Sequence, residues 1–184
     1  MAGTRKERRG LVIVNTGNGK GKTTAALGLA VRAAGNGFRV LIIQFIKGRW
    51  KTGETQALKA LAPRIELVRM GKGFTIERLR DKRIPMEQHA EAAAQAFARA
   101  GQAVRSGEYD MVVLDELLGS IKAGLVRLDD VLQLIRDKPP AVHLVITGRG
   151  APEALVDSAD LVSEIVPIKH PFQQGIKAQR GIEF

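Results

Sequence analysis

The glycine-rich stretch at residues 17–24, GNGKGKTT, constrains this chain most, because it separates an apolar run from a helix-forming run. Residues 11–14 are apolar without interruption, as expected of a strand covered on both faces of a parallel sheet. From Thr24 onward apolar residues recur at helical spacing, and Gly35 and Gly37 end the pattern. Strand, glycine loop and helix in this order predict a phosphate-binding loop, in which backbone amides and a helix N-terminus meet phosphate oxygens.

Individual residues of this loop suggest distinct roles. Lys22 would bring a full positive charge to a phosphate, and Thr23 is placed to ligate a magnesium ion that bridges phosphates. The usual spacing is G-x-x-x-x-G-K-[ST], whereas only three residues separate Gly17 from Gly21, so this loop is one residue short. A dinucleotide-binding fingerprint is excluded, because the glycines do not fit G-x-G-x-x-G and no acidic residue ends the next strand.

Two further segments predict ligand-binding groups at strand ends. Residues 110–116, DMVVLDE, form an apolar strand that ends in Asp115 and Glu116, the Walker B pattern in which a strand-terminal carboxylate holds a metal. Arg149 follows another buried strand and could offer a phosphate two forked donors, although a surface salt bridge is the alternative. The carboxyl ends of parallel strands meet at one edge, so these groups would face the same ligand as the glycine loop.

The remaining pattern alternates strands with helices. Strands are predicted at residues 40–44, 65–68, 142–147 and 161–168, and helices at 54–62, 85–107 and 128–136 and from residue 151. His89, in the longest helix, is interpreted as a surface or capping residue rather than a metal ligand. The predicted fold is an α/β, single-domain, P-loop NTPase-like (RecA-like) fold with a mainly parallel central sheet flanked by helices. A short basic segment, residues 1–10, would precede the domain at 11–184.

Composition limits the possible functions. The chain has no cysteine, which excludes disulfides, thiolate metal sites and cysteine nucleophiles. No apolar run approaches the roughly 18 residues of a membrane span, so we expect a soluble, cytoplasmic protein without a membrane partner. The net charge of +10 would suit nucleic acid, and a RecA-like ATPase module that binds nucleic acid is the alternative function. With aromatics at only 4%, we interpret the charge as solvated or as serving an anionic small ligand, with no nucleic-acid partner.

These motifs closely resemble those of the P-loop ATP:corrinoid adenosyltransferases of the cobalamin pathway. The matching segments lie at residues 17–24, 44–50, 73–75, 112–116, 146–150 and 169–182, so the resemblance extends from about residue 10 to the C-terminus. The shortened loop is itself a feature of that family. From the residues alone, a hydrolytic motor, a small-molecule kinase and a group transferase all remain possible, because each needs the same phosphate cradle.

The resemblance implies that cobalt(I) of a reduced corrinoid attacks the 5′ carbon of ATP and releases inorganic triphosphate. It implies Mg²⁺ or Mn²⁺ as cofactor, an electron donor such as a flavoprotein, and a homodimer. Catalytic roles would fall to Lys22, Thr23 and Glu116, and the metal would be held by Thr23, Asp115 and Glu116. The implied ATP-binding residues are Asn15, Gly17, Asn18, Gly19, Lys20, Gly21, Lys22, Thr23, Thr24 and Arg149.

The resemblance also implies an apolar corrinoid site formed by Phe74, Ile76 and Trp50. Its side chains would exclude an axial ligand from the lower face of the corrinoid, which makes cobalt(II) easier to reduce. The family motif commonly reads Gly-Phe-Thr-Trp-Glu, whereas this chain has Ile76 in place of the tryptophan. Isoleucine can exclude water by its bulk but lacks the area and planar stacking of an indole.

Overall fold

The structure is a computed structural model that describes residues 8–48, 52–73, 75 and 81–182. Within these ranges it has six β-strands, and each coincides with an apolar run that predicts a strand. The strands are β1 (Val12–Thr16), β2 (Val40–Gln44), β3 (Ile65–Arg69), β4 (Met111–Asp115), β5 (His143–Thr147) and β6 (Leu161–Glu164).

All strand pairs in the sheet are parallel, and the strand order is β3-β2-β4-β5-β1-β6. The helices are α1 (Lys22–Gly35), α2 (Gly53–Lys59), α3 (Met86–Arg105), α4 (Leu117–Lys122), α5 (Leu128–Asp137) and α6 (Glu153–Asp157), followed by a 3₁₀ turn at Pro171–Gln174. This architecture confirms the predicted α/β fold with a parallel sheet. Parallel strands need crossover connections, and here helices supply them between most consecutive strands.

The inner strands are covered on both faces of the sheet, which explains why their sequences are apolar without alternation. Leu41 and Ile43 of β2 belong to a core cluster shared with α3 and α5, whereas Val40 and Ile42 belong to a second cluster shared with α1. Because successive side chains point to opposite faces, a strand such as β2 supplies apolar residues to both clusters. The edge strand β6 differs, because all four of its residues are exposed.

Two sequence-based predictions need correction, and one short helix is missing from them. Helix α4 is not predicted, because it has only six residues and is entered through Glu116 in a left-handed conformation, with φ of 62°. The last strand ends at Glu164 rather than residue 168, because Glu164 pairs with Thr16, after which β1 gives way to the glycine loop. His89 is buried, with 3% of its surface exposed, and is therefore not a surface residue.

The amino-terminal residues that the structure describes pack against the end of the sheet opposite to the glycine loop. Arg8 donates to Asp110 Oδ1 at 2.6 Å and to the carbonyl oxygen of Ala141 at 3.0 Å, and Arg9 donates to Asp160 Oδ1 at 2.7 Å. The boundary proposed at residue 10 remains a prediction. Among the helices that the structure describes, none combines the length and apolar character needed to span a membrane.

Candidate active site

The glycine loop connects β1 to α1 and lies against the backbone that follows β6. The amide of Gly19 donates to the carbonyl oxygen of Ile165 at 2.7 Å, and the amide of Ile165 donates to the carbonyl oxygen of Thr16 at 2.9 Å. Gly17 has a φ of +100°, and a Cβ built on it would lie 2.5 Å from the Ile165 oxygen. Glycine is therefore required at this position both for its conformation and for its close approach to Ile165.

Lys22 is the first residue of α1 and is 6% exposed. Its ammonium donates to the carbonyl oxygen of Gly19 at 2.6 Å. Burial lowers the pKa of Lys22, the Glu116 carboxylate opposes this shift, and Arg149 adds to it. The ammonium thus lies inside the loop, at the helix N-terminus. An anionic ligand there would be attracted by the charge of the ammonium and by the partial positive charge of the helix N-terminus.

Asp115 is the last residue of β4 and has 1% of its surface exposed. Its Oδ1 accepts hydrogen bonds from the hydroxyls of Thr23 and Thr147, each at 2.8 Å, and its Oδ2 accepts one from Gln44 Nε2 at 3.1 Å. Three donors therefore compensate the burial of this carboxylate. The hydrogen bond from Thr23 to Asp115 joins the glycine loop to the end of β4.

Glu116 follows β4 and, unlike Asp115, lines the cavity at the glycine loop. Its amide donates to Thr147 Oγ1 at 2.9 Å, which holds the residue in its left-handed conformation. Burial and the neighbouring Asp115 raise the pKa of Glu116, whereas Lys22, Arg149 and Lys47 act in the opposite direction. This balance fits a carboxylate that would be stabilised in its ionised form by an added cation.

The cavity has a volume of about 580 Å³. Among the described residues, four cationic side chains and two carboxylates line it, so that its charge favours an anionic ligand. The lining consists of residues 18–24 with Leu27, Lys47, Gly53, Glu54, Glu116, Arg149, His170, Gly181 and Ile182. Part of the carboxyl-terminal segment reaches this cavity, and the Lys20 ammonium donates to the carbonyl oxygen of Ile182.

The cavity brings together most of the residues that the sequence singles out for ATP. Asn15 and Gly17 are exceptions, because neither lines the cavity. Asn15 is buried in β1, and its carbonyl oxygen accepts the amide of Gly148 at 3.2 Å. Trp50, Phe74 and Ile76, predicted for the corrinoid, lie outside the described residues.

Sequence reasoning assigned no individual role to the ion pair between Lys47 and Glu54, whose Nζ and Oε1 atoms are 2.7 Å apart at the cavity wall. Burial raises the pKa of Glu54, but hydrogen bonds from Lys47 and from backbone outweigh it, so that the pKa is lowered overall. The signal available in the sequence was the position of Lys47 in the loop that follows β2 at the ligand-binding edge, with Glu54 at the start of the next helix.

Solved structures similar to this one show the fold. The flagellar accessory protein FlaH from Methanocaldococcus jannaschii is similar with a TM-score of 0.58 and 16% sequence identity. The superposition covers 85% of this chain and 71% of the FlaH chain. The RadB recombinase has a TM-score of 0.52 and 15% identity, covering 86% of this chain and 76% of its own. Both support a P-loop, RecA-like architecture.

Sequence comparison identifies nearer relatives. A corrinoid adenosyltransferase of Pseudomonas aeruginosa is 41% identical over 179 residues, which cover 97% of this chain and 86% of the relative. The corrinoid adenosyltransferase CobA of Salmonella typhimurium is 41% identical over 181 residues, with coverages of 97% and 88%. The family model ATP:corrinoid adenosyltransferase BtuR/CobO/CobP matches residues 8–184. The chain therefore belongs to the ATP:corrinoid adenosyltransferase family.

Proposed function

We propose that this protein transfers the 5′-deoxyadenosyl group of ATP to the cobalt of a reduced corrinoid and releases inorganic triphosphate, in the synthesis or salvage of adenosylcobalamin. The observation that carries the proposal is the cationic cavity at the shortened glycine loop, where Lys22, Thr23 and Glu116 converge. Membership of the family, matched over residues 8–184, supplies the corrinoid as second substrate.

In the proposed reaction the electron pair of cobalt(I) forms the cobalt–carbon bond to C5′ of ATP. The C5′–O bond breaks, and triphosphate leaves with its electron pair. The step needs no general base, because cobalt(I) is already a strong nucleophile and no proton has to be removed. The task of the protein is to hold the two substrates in line and to neutralise negative charge on the leaving group.

Lys22, Lys20 and Arg149 are positioned around the cavity to carry out that neutralisation. The Lys22 ammonium, which donates to the Gly19 carbonyl oxygen here, would donate to a triphosphate oxygen instead. Backbone amides that follow Gly19 and the N-terminus of α1 would add further donors. In this proposal the triphosphate lies in the loop with the ribose carbon toward the corrinoid, which reverses the usual direction of attack on a nucleotide in a P-loop.

Mg²⁺, or Mn²⁺ in its place, fits the residues at this cavity. Thr23 gives the proton of its hydroxyl to Asp115, so that its oxygen lone pairs are available, and Glu116 supplies a carboxylate. An ion held there would take its remaining ligands from phosphate oxygens and water. When bound, the ion would neutralise charge on the leaving triphosphate.

The corrinoid is proposed to bind at the loops that follow β2 and β3. These loops meet backbone to backbone, since the amide of Gly73 donates to the carbonyl oxygen of Ile46 at 2.9 Å. A Cβ on Gly48 would lie 3.2 Å from the Gly73 nitrogen. Gly48 and Gly73 flank the segments that contain Trp50 and Phe74, which supports a common site for the predicted corrinoid residues.

Three finer features remain part of the proposal. We propose a cytoplasmic location, and a reducing partner such as a flavoprotein that would generate cobalt(I). A homodimer is supported by large apolar side chains that are exposed in and after the edge strand β6, including Leu161, Val166, Ile168 and Phe172. Apolar surface of this kind is rarely left in contact with water on a monomer.

The net charge of +10 motivated the alternative, a nucleic-acid-binding ATPase. The family match favours the transferase instead. In addition, Arg8 and Arg9 of the basic segment form ion pairs with Asp110 and Asp160, so these two charges are engaged within the domain.

The decisive experiment mixes the protein with chemically reduced cobalt(I) corrinoid, ATP and Mg²⁺ under anaerobic conditions. We expect the visible absorption of a cobalt–carbon bond together with inorganic triphosphate, detected by ³¹P nuclear magnetic resonance. A reaction without protein controls for spontaneous alkylation. ADP and phosphate as the main products, with no cobalt–carbon bond, would contradict the proposal and favour the ATPase.

A further inference from the structure

Polar side chains at the ends of neighbouring strands form one continuous chain of hydrogen bonds across the sheet. Arg69, Gln44, Asp115 and Thr147 are the last residues of β3, β2, β4 and β5. Gln44 is paired in register with Arg69 on one side and with Asp115 on the other. We refer to these four side chains as the strand-end chain. Its members are brought together by the parallel register and not by nearness in sequence.

The hydrogen bonds of the strand-end chain have a defined direction. Arg69 Nε donates to Gln44 Oε1 at 3.2 Å, and Gln44 Nε2 donates to Asp115 Oδ2 at 3.1 Å. A guanidinium has donors only, so the amide of Gln44 must turn its oxygen to Arg69 and its nitrogen to Asp115. Gln44 is fully buried, and therefore its amide has little freedom to rotate away.

The carboxylate of Asp115, oriented by Gln44, in turn orients the hydroxyl of Thr23. With Oδ2 engaged by Gln44, Oδ1 lies toward the hydroxyl of Thr23, which donates its proton at 2.8 Å. The carboxylate is 1% exposed and does not line the cavity, whereas Thr23 does. The rotation of Asp115 thus determines where the Thr23 oxygen presents its lone pairs to the cavity.

At its other end the strand-end chain reaches the loop that follows β2. Arg69 Nη2 donates to Thr52 Oγ1 at 2.6 Å, and Thr52 is the residue at the N-terminus of α2. Gly53 and Glu54, which follow it, line the cavity. The guanidinium of Arg69 therefore connects Thr52, beside the cavity wall, to the side-chain amide of Gln44, which orients Asp115.

We infer that Gln44 and Arg69 are positioning residues for the metal–nucleotide complex, and that they act through Asp115 on the Thr23 oxygen. The inference rests on the proposed function only in that the nucleotide is bound with a divalent ion at Thr23. It assigns a function to two residues that do not line the cavity at the glycine loop. Residues that orient a metal ligand commonly change metal affinity by about 10- to 100-fold when they are replaced.

The test measures Mn²⁺ binding by electron paramagnetic resonance in the presence of ATP, without corrinoid, and compares it with ATP binding in the presence of a chelator. We expect Gln44→Leu to weaken Mn²⁺ binding about tenfold and Arg69→Met to weaken it several-fold, because the first removes and the second loosens the hydrogen bond that holds Asp115 Oδ2, while Thr147 still holds Oδ1. ATP binding without metal should change less than twofold. A residue needed only for general stability would change both measurements together.

Two further variants make the result interpretable. Arg64→Met is the matched control, because Arg64 lies just before the first residue of β3, whereas Arg69 is its last residue. At that end of the strand Arg64 donates to the Gly37 carbonyl oxygen at 2.8 Å. Its Mn²⁺ affinity should equal that of the parent. Arg69→Lys keeps a donor toward Gln44 and should recover part of the loss. If Gln44→Leu does not fold, the two Arg69 variants carry the test.

Parent-like Mn²⁺ affinity in Arg69→Met, or an equal loss in Arg64→Met, would overturn the inference, as would a parent protein that does not bind Mn²⁺ with ATP. Failure of the proposed function is distinguishable, because it would appear as absence of cobalt–carbon bond formation while Mn²⁺–ATP binding still responds to the Arg69 variants.

Discussion

At the scale of single residues, Lys22 should matter most for the reaction. Its ammonium lies at the N-terminus of α1 within the glycine loop, where charge on a leaving triphosphate would develop. We expect Lys22→Ala to lower the rate of cobalt–carbon bond formation by about 10²- to 10³-fold, the usual effect of removing one charge-stabilising donor. Lys122→Ala, an exposed lysine at the end of α4, is the control and should retain the parent rate.

His143 should make the stability of the protein sensitive to acid. Its Nδ1 accepts the amide of Leu11 at 3.1 Å, which requires an unprotonated ring nitrogen. Burial lowers the pKa of His143, and the charges of Arg8 and Lys138 lower it further. The unfolded chain therefore takes up the proton first, so the free energy of unfolding should fall as the pH drops below about 6.5.

Denaturant unfolding at several pH values between 7.5 and 5 measures this effect. His143→Asn places an oxygen acceptor near the position of Nδ1 and does not titrate, so its free energy of unfolding should depend less on pH over that interval. Equal pH dependence in the parent and in His143→Asn would show that another group is responsible.

Residue types were predictable where the chemistry requires them at a fixed spacing. Lys22, Thr23 and Glu116 could be assigned because a phosphate loop and a Walker B strand have few alternatives. Gln44 and Arg69 could not be assigned, because they are separated by 24 residues and become neighbours only through the register of β2 and β3. The burial of His89 was missed for a related reason, since helix periodicity does not show which partner a helix face will meet.

At the scale of elements, the glycine loop and the backbone after β6 form one unit. A Cβ on Gly17 would meet the Ile165 oxygen, and the φ of +100° adds strain for any other residue. We expect Gly17→Ala to lower the free energy of unfolding by about 1–3 kcal/mol and to weaken ATP binding. Both effects follow from displacement of the loop.

Gly28→Ala is the matched control for Gly17→Ala. Gly28 lies within α1, and a Cβ built there would meet no atom within 4 Å. Alanine should raise the free energy of unfolding by about 0.5–1 kcal/mol through its higher helix propensity. Equilibrium denaturation of both variants provides the comparison, and equal destabilisation of the two would refute a special role for the contact with Ile165.

Long elements were predictable, and short ones at the edge of the fold were not. The inner strands were visible as apolar runs because they are covered on both faces of the sheet. Helix α4 has six residues, contains Gly119, and begins after a residue with left-handed backbone, so neither length nor a capping residue marked it. The end of β6 depends on where its partner β1 stops, which is information from another part of the chain.

At the scale of the whole molecule, the exposed apolar residues after the edge strand predict self-association. Light scattering should give a mass near twice that of the 19.9 kDa chain. Ile168 is 97% exposed, and Ile168→Lys should shift the distribution toward the monomer, because a charge would be buried in the interface. Val31→Lys, on the exposed side of α1, is the control, and dissociation by both variants would argue against this location of the interface.

The position of the carboxyl-terminal segment has a practical consequence for how the protein is handled. The backbone that accepts the Gly19 amide continues into a stretch that returns to the cavity at the glycine loop with Gly181 and Ile182. Arg8, in contrast, lies at the far end of the strands. An affinity tag or fluorescent fusion is therefore better attached ahead of Arg8, since Ile182 lies beside that cavity.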